Sequence, residues 1–172
     1  MVEQQKGNNK YVRIESDKYF NKPINELNQI FTLYYFEVKI IFEKESGIKI
    51  GLGNGTNYIY LWLNDKSINY SFPNKSKYFS LRSFTYKIND IIGCGLVYPP
   101  PNMTNKLPYI FFTKNGKQIG KAILLEKDCD SIKPFVGLTC CSIEANFGDN
   151  FFIYDVDKLC VTKEFYKEEE FK

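Results

Sequence analysis

The sequence predicts an all-β protein, an antiparallel β-sandwich with at most short helical turns. Three observations lead there. Short runs of alternating apolar and polar residues recur between turn signals, with no long amphipathic helix among them. Aromatic residues make up 17% of the 172, with 15 Phe and 13 Tyr, and such side chains suit a pleated, half-buried surface. Finally, Asn115-Gly116 sits between two apolar runs, and Asn-Gly meets the φ > 0 demanded at both central positions of a type I′ turn.

That hairpin fixes a register. Lys114 should face Lys117, Thr113 should face Gln118, Phe112 should face Ile119, and Phe111 should lie across Gly120 and cover its bare backbone. Apolar residues on both faces before the tip make the hairpin central rather than a surface flap.

Earlier in the chain, residues 1–10 are polar and read as a flexible start, and Tyr11–Ile14 reads as a short edge strand. Pro23 interrupts pairing, and Asn25 is placed to cap one helical turn through Ile30. Tyr34–Ile41 is a strand with Tyr34, Phe36, Val38 and Ile40 on one face and Glu37 and Lys39 on the other. After a turn at Lys44–Gly47, Ile48, Ile50 and Leu52 again share a face. Gly51 and Gly53 on the opposite face permit close approach of something bulky. Asn54–Tyr60 reads as a polar loop with two tyrosines, Ser67–Phe72 as a strand, and Pro73–Ser83 as an exposed loop. Ile92, Cys94, Leu96 and Tyr98 share one face of the next strand. Beyond the hairpin, Lys133–Leu138 and Ser142–Gly148 form a pair, and Phe151–Tyr154 closes a sheet edge. The domain therefore runs over 11–156, and 157–172 reads as a charged, solvated tail ending in Glu168-Glu169-Glu170.

Composition excludes several functions. The net charge is +3, with Lys interleaved with Asp and Glu, which is a poor footprint for nucleic acid. The absence of histidine removes the usual general base and the commonest zinc ligand. The five cysteines are odd in number and lack CxxC spacing, as expected of reduced thiols in a cytosolic protein. No apolar run is long enough to cross a bilayer as a helix. Accordingly no catalytic residue, metal ligand or cofactor is expected, and no nucleic-acid or membrane partner. Trp62 and Cys94 are assigned to the core.

The ordered segments Tyr34–Ile40, Ile50-Gly51-Leu52-Gly53, Trp62, Asn89–Gly95, Phe111–Gly116 and Glu144–Gly148 together resemble a SPRY domain. The resemblance runs from about Val12 to Tyr154 and is to the Ran-binding-protein-M type, a subtype also found in secreted effectors of plant-parasitic nematodes. It implies a bent two-sheet sandwich that binds a partner protein or short peptide through loops at one end. It also implies a monomeric adaptor or effector, in the cytoplasm or delivered into a host cell. Carried over by position, Tyr70 lines a peptide recess, Thr139-Cys140-Cys141-Ser142 supplies the opposite wall, and Asn8-Asn9-Lys10 the N-terminal loop; Tyr58 and Tyr60 lie nearby. The chain departs from the family in its Ile14–Leu33 insertion, in the short loop before Trp62, and in lacking a late-loop tryptophan.

Two other functions compete with protein binding. Lectins and glycosidases share the sandwich architecture, but the carboxylates Glu37, Glu43, Glu45, Asp90, Glu144 and Asp149 form no alternating acidic set on one strand. Cys140 and Cys141 as nucleophiles have no histidine to activate them.

Overall fold

Alternation in the sequence becomes two antiparallel sheets in the computed structural model, which describes residues 2–3, 10–24, 30–43, 47–72, 75–125, 131–158 and 162–172. The strands are β1 (Val2–Glu3), β2 (Val12–Glu15), β3 (Thr32–Glu43), β4 (Ile48–Gly53), β5 (Tyr58–Trp62) and β6 (Ser67–Phe72). They continue as β7 (Lys75–Ser80), β8 (Ile91–Tyr98), β9 (Tyr109–Lys114), β10 (Lys117–Leu124), β11 (Lys133–Leu138) and β12 (Cys141–Asn146). The first sheet is ordered β1-β12-β3-β8-β9-β10 and the second β2-β11-β4-β5-β6-β7. Outside the strands, the described residues hold only short 3-10 turns at Val156–Lys158 and Glu168–Glu170.

The facing sides of the sheets bury the residues whose period placed them there. Phe36, Val38 and Ile40 of β3 and Ile48, Ile50 and Leu52 of β4 meet Ile92, Cys94 and Leu96 of β8 in one core. A second, smaller cluster lies on the outer side of the first sheet. There Tyr35, Val97, Tyr109, Phe111 and Ala122 are covered by Phe152, Tyr154 and Phe165. Segment 151–154 is thus no edge strand; it is an irregular strap laid across a sheet face. Glu37, on the face opposite Phe36 as expected, is buried beneath it and accepts hydrogen bonds from the Ile153 and Tyr154 amides and the Tyr35 hydroxyl, each at 3.0 Å.

The hairpin forms as expected at its tip. Asn115 and Gly116 have φ of 49° and 76°, and Lys117↔Lys114, Gln118↔Thr113 and Ile119↔Phe112 are paired. The tip is tied to the start of β8. The Asn115 amide nitrogen donates to buried Asp90 at 2.8 Å, Lys114 pairs with the same carboxylate at 3.1 Å, and the Ile91 N–H donates to the Asn115 side-chain oxygen at 2.8 Å. Burial alone would raise the Asp90 pKa, but hydrogen bonds from Asn115, Lys114 and the Lys87 amide outweigh it and hold the pKa low. The stability this supplies is complete above the ordinary aspartate range and is lost as pH falls through the lowered value. Gly116→Val is expected to cost roughly 1–3 kcal/mol, read as a lowered melting temperature, because a β-branched residue resists this φ.

Beyond the tip the register departs from expectation. After Ile119↔Phe112 the next pair is Ile123↔Ile110, so extra residues bulge out and Gly120, at φ 61°, no longer faces Phe111. Phe111 covers Gly95 instead, where a Cβ would stand 2.4 Å from its ring. Two segments expected as loops are strands. Tyr58–Trp62 forms β5, its outward residues being aromatic and so hiding the alternation, and Lys75–Ser80 forms β7, whose polar composition suits a sheet edge. Tyr166, within the expected solvated tail, is 8% exposed and packs into the main core. The helical turn expected after Asn25 and the turn at 44–46 fall outside the described residues.

Candidate functional site: an aromatic and basic sheet face

The outer side of the second sheet gathers side chains that the sequence scatters over a hundred positions. Because Ile48, Ile50 and Leu52 point inward, Lys49, Gly51 and Gly53 point outward. Across the ladder they meet Trp62, Tyr60 and Tyr58 of β5, and on the other side Gly137, Phe135 and Lys133 of β11. The glycines form a floor onto which rings close. A Cβ on Gly53 would stand 2.3 Å from the Tyr58 ring, and one on Gly137 would stand 2.4 Å from the Tyr11 hydroxyl.

Cations sit against these rings. The Lys49 ammonium lies 4.6 Å from the Trp62 ring centre, 5.3 Å from Tyr60 and 5.8 Å from Tyr11. The Arg13 guanidinium lies 4.4 Å from the Tyr58 ring centre and 4.1 Å from that of Phe135, two rings that meet edge-on, and it ion-pairs with Glu15. Lys133 lies 4.4 Å from Tyr19. Tyr11 is 53% exposed, and Tyr60 and Trp62 are half-buried. Burial raises the Tyr60 pKa, with further upward pushes from Tyr11 and Asp65, and burial likewise raises Tyr11 against the opposing pull of Arg13. Both phenols stay neutral at physiological pH and can donate hydrogen bonds. The face offers flat aromatic area, an ammonium and phenolic donors on rigid strands, a set suited to recognition.

This architecture has solved counterparts. A crystal structure of a human SPRY domain aligns with a TM-score of 0.57 and 22% identity, over 84% of this chain and 89% of that one. The fold is that of a SPRY domain. The SPRY domain of human HERC1 is also similar (TM-score 0.44, 15% identity, 82% and 85% covered). So is sheep galectin-11 in complex with glycerol (TM-score 0.42, 9% identity, 83% and 100% covered). No protein-family model and no curated protein matches the sequence.

Within this SPRY fold the residues expected to bind a partner separate. Tyr58 and Tyr60 lie on the aromatic face, and exposed Lys10 adjoins Tyr11 at its margin; Asn8 and Asn9 fall outside the described residues. Thr139 and Cys140 join β11 to β12 at the Lys49–Trp62 end, where the Thr139 N–H donates to the Gly47 carbonyl at 3.0 Å. Cys141 is buried, and Ser142 belongs to the first sheet, opposite Phe42 and Glu3.

Tyr70 is not part of this group. It is 8% exposed, shares the inward face of β6 with Ile68, and packs in the main core. It aligns across the ladders with Ile59, Leu52 and Pro134, five residues short of Thr139 on β11. At about 3.3 Å per residue that is roughly 16 Å along the strands, with three strand steps added across the sheet. The expected recess between Tyr70 and Thr139–Ser142 is therefore not assembled. Trp62, expected in the core, stands on the outer face instead. Tyr11, Arg13 and Lys49 join the face without being expected there, although the phase of Ile48-Lys49-Ile50 already turns Lys49 away from the core.

Proposed function

We propose that this chain is a protein-interaction module of the SPRY family that binds a partner protein or short peptide on the outer face of its second sheet. It acts without catalysis or cofactor, as an adaptor or effector. The observation that carries the reading is Lys49, held over the Tyr11, Tyr60 and Trp62 rings on a glycine-floored strand. Aromatic residues and cations on a rigid frame concentrate binding energy with little ordering cost. Family membership is supported by the fold likeness and by the ordered segments from Tyr34 to Gly148; the Ran-binding-protein-M subtype is supported by those segments alone.

A displayed random-peptide library tests the function. Peptides enriched on the parent should lose roughly 1–3 kcal/mol of binding on Lys49→Glu and on Tyr60→Ala, as hot-spot residues do. Both variants should melt close to the parent, since neither side chain lies in the core. Peptides that bind both variants as well as the parent would move the interface elsewhere. A glycan array run beside it should stay blank, and a sugar signal lost in the same variants would favour the lectin reading.

A further inference from the structure

The two sheets end side by side at β7 and β10, and one segment spans both edges. The Ala122 N–H of β10 donates to the Glu164 carbonyl at 3.0 Å, and the Tyr166 N–H donates to the Ala122 carbonyl at 2.9 Å. Further on, Lys172 exchanges both backbone hydrogen bonds with Tyr78 of β7, at 3.0 and 2.9 Å. Between these anchors Tyr166 enters the slot between the sheets, its ring centre 4.0 Å from that of Phe79. Its hydroxyl occupies the space a side chain at Gly120 would need. Phe171 packs edge-on against both rings. The turn between them is acidic, and lysines of both edge strands hold it. Lys77 of β7 pairs with Glu168, and Lys121 of β10 pairs with Glu170 at 2.9 Å.

This segment underfills what it spans. A cavity of about 380 Å³ remains on one flank, walled by Tyr70, Ile123, Leu124, Phe165 and Phe171. On the other flank a groove of about 1100 Å³ carries Arg82, Lys117 and Ile119. A segment that pairs with the edges only at its two ends, with space left on both sides, leaves room for a longer one of the same chemistry. The walls carry basic and apolar side chains, and β7 and β10 are the terminal strands of their sheets. We propose that the groove between β7 and β10 is a docking site for an acidic aromatic segment of a partner protein, with residues 164–172 as its intramolecular occupant. The recognised pattern is two aromatic residues spaced like Tyr166 and Phe171, with carboxylates between them and a backbone able to add to a strand edge. The site is separate from the aromatic sheet face and does not depend on it.

A tethered occupant suppresses binding in trans because its effective concentration is high, so loosening it should raise affinity for a free peptide. The probe is a fluorescein-labelled peptide with the sequence of residues 162–172, titrated by anisotropy into the 172-residue protein. Tyr166→Ala is expected to bind it about tenfold more tightly than the parent does. Adding Lys77→Glu and Lys121→Glu should abolish the gain, Lys49→Glu should leave it intact, and a scrambled peptide should bind none of them. A folded Tyr166→Ala protein that binds the peptide no better than the scrambled one overturns the proposal. If that variant does not fold, hydrogen exchange on the parent decides. The Tyr78 and Ala122 amides should exchange about tenfold faster than Val97 and Phe112 through local opening. Exchange of all four only through global unfolding overturns it.

Discussion

Gly51→Val is expected to abolish the cooperative unfolding transition, or to lower stability by more than about 4 kcal/mol where any transition survives. A Cβ at residue 51 would stand 2.0 Å from the Ile59 carbonyl oxygen and 2.5 Å from the Tyr60 Cα. These are backbone atoms of the neighbouring strand, so no rotamer change relieves the contact. The ladder Gly51↔Tyr60 would have to part, and with it the floor of the aromatic face. Gly47→Ala is the control, because its Cβ would meet nothing nearer than the Trp62 indole nitrogen at 3.6 Å, an ordinary contact. Thermal melts followed by far-UV circular dichroism distinguish the two. A Gly51→Val protein that melts within about 2 °C of the parent would mean that β4 and β5 do not pair as described.

The sequence made β3, β4 and β8 legible because each turns one alternate set of apolar side chains toward the main core, and the period of two then shows directly in Phe36-Val38-Ile40 or Ile48-Ile50-Leu52. The same rule hid β5. Its outward side chains are Tyr58, Tyr60 and Trp62, so both phases are apolar and no alternation appears. It also hid β7, where Lys-Ser-Lys-Tyr-Phe-Ser carries the polarity of an edge and reads as a loop. At the bulge after Ile119, Tyr166 arrives over Gly120 from far along the chain, and a local pattern holds no trace of that.

The proposed binding face is harder to read from the sequence than the fold. Tyr70 was placed by family position, whereas its phase with Ile68 already put it on the buried side. Lys49 carries no motif; it is one polar residue in a strand, and its setting comes from the ring of Tyr11, just before β2, and the Tyr60 and Trp62 rings of β5.

Glu37→Ala is expected to cost about 2–4 kcal/mol, since hydrogen bonds to a charged group are each worth roughly 1.5–3 kcal/mol and part of that is recovered as water enters. The carboxylate is 4% exposed. It is balanced by three donors, the Ile153 and Tyr154 amides and the Tyr35 hydroxyl. Tyr35 also lies 2.6 Å from the Thr113 hydroxyl, and burial, with Glu37 beside it, raises its pKa so that it remains a neutral donor. Removing the carboxylate frees the strap that covers Tyr35 and Phe111, so the outer cluster should loosen before the main core does. Glu37→Gln keeps one acceptor and should fall between parent and alanine variant. For a chain of this size the alanine variant should melt roughly 5–15 °C lower, and exchange at the Ile153 and Tyr154 amides should accelerate more than exchange at Val38 or Ile92. An unchanged midpoint with unchanged amide exchange would mean that ring packing of Phe152 and Tyr154 on Tyr35, at 5.1 and 5.0 Å, holds the strap without the carboxylate.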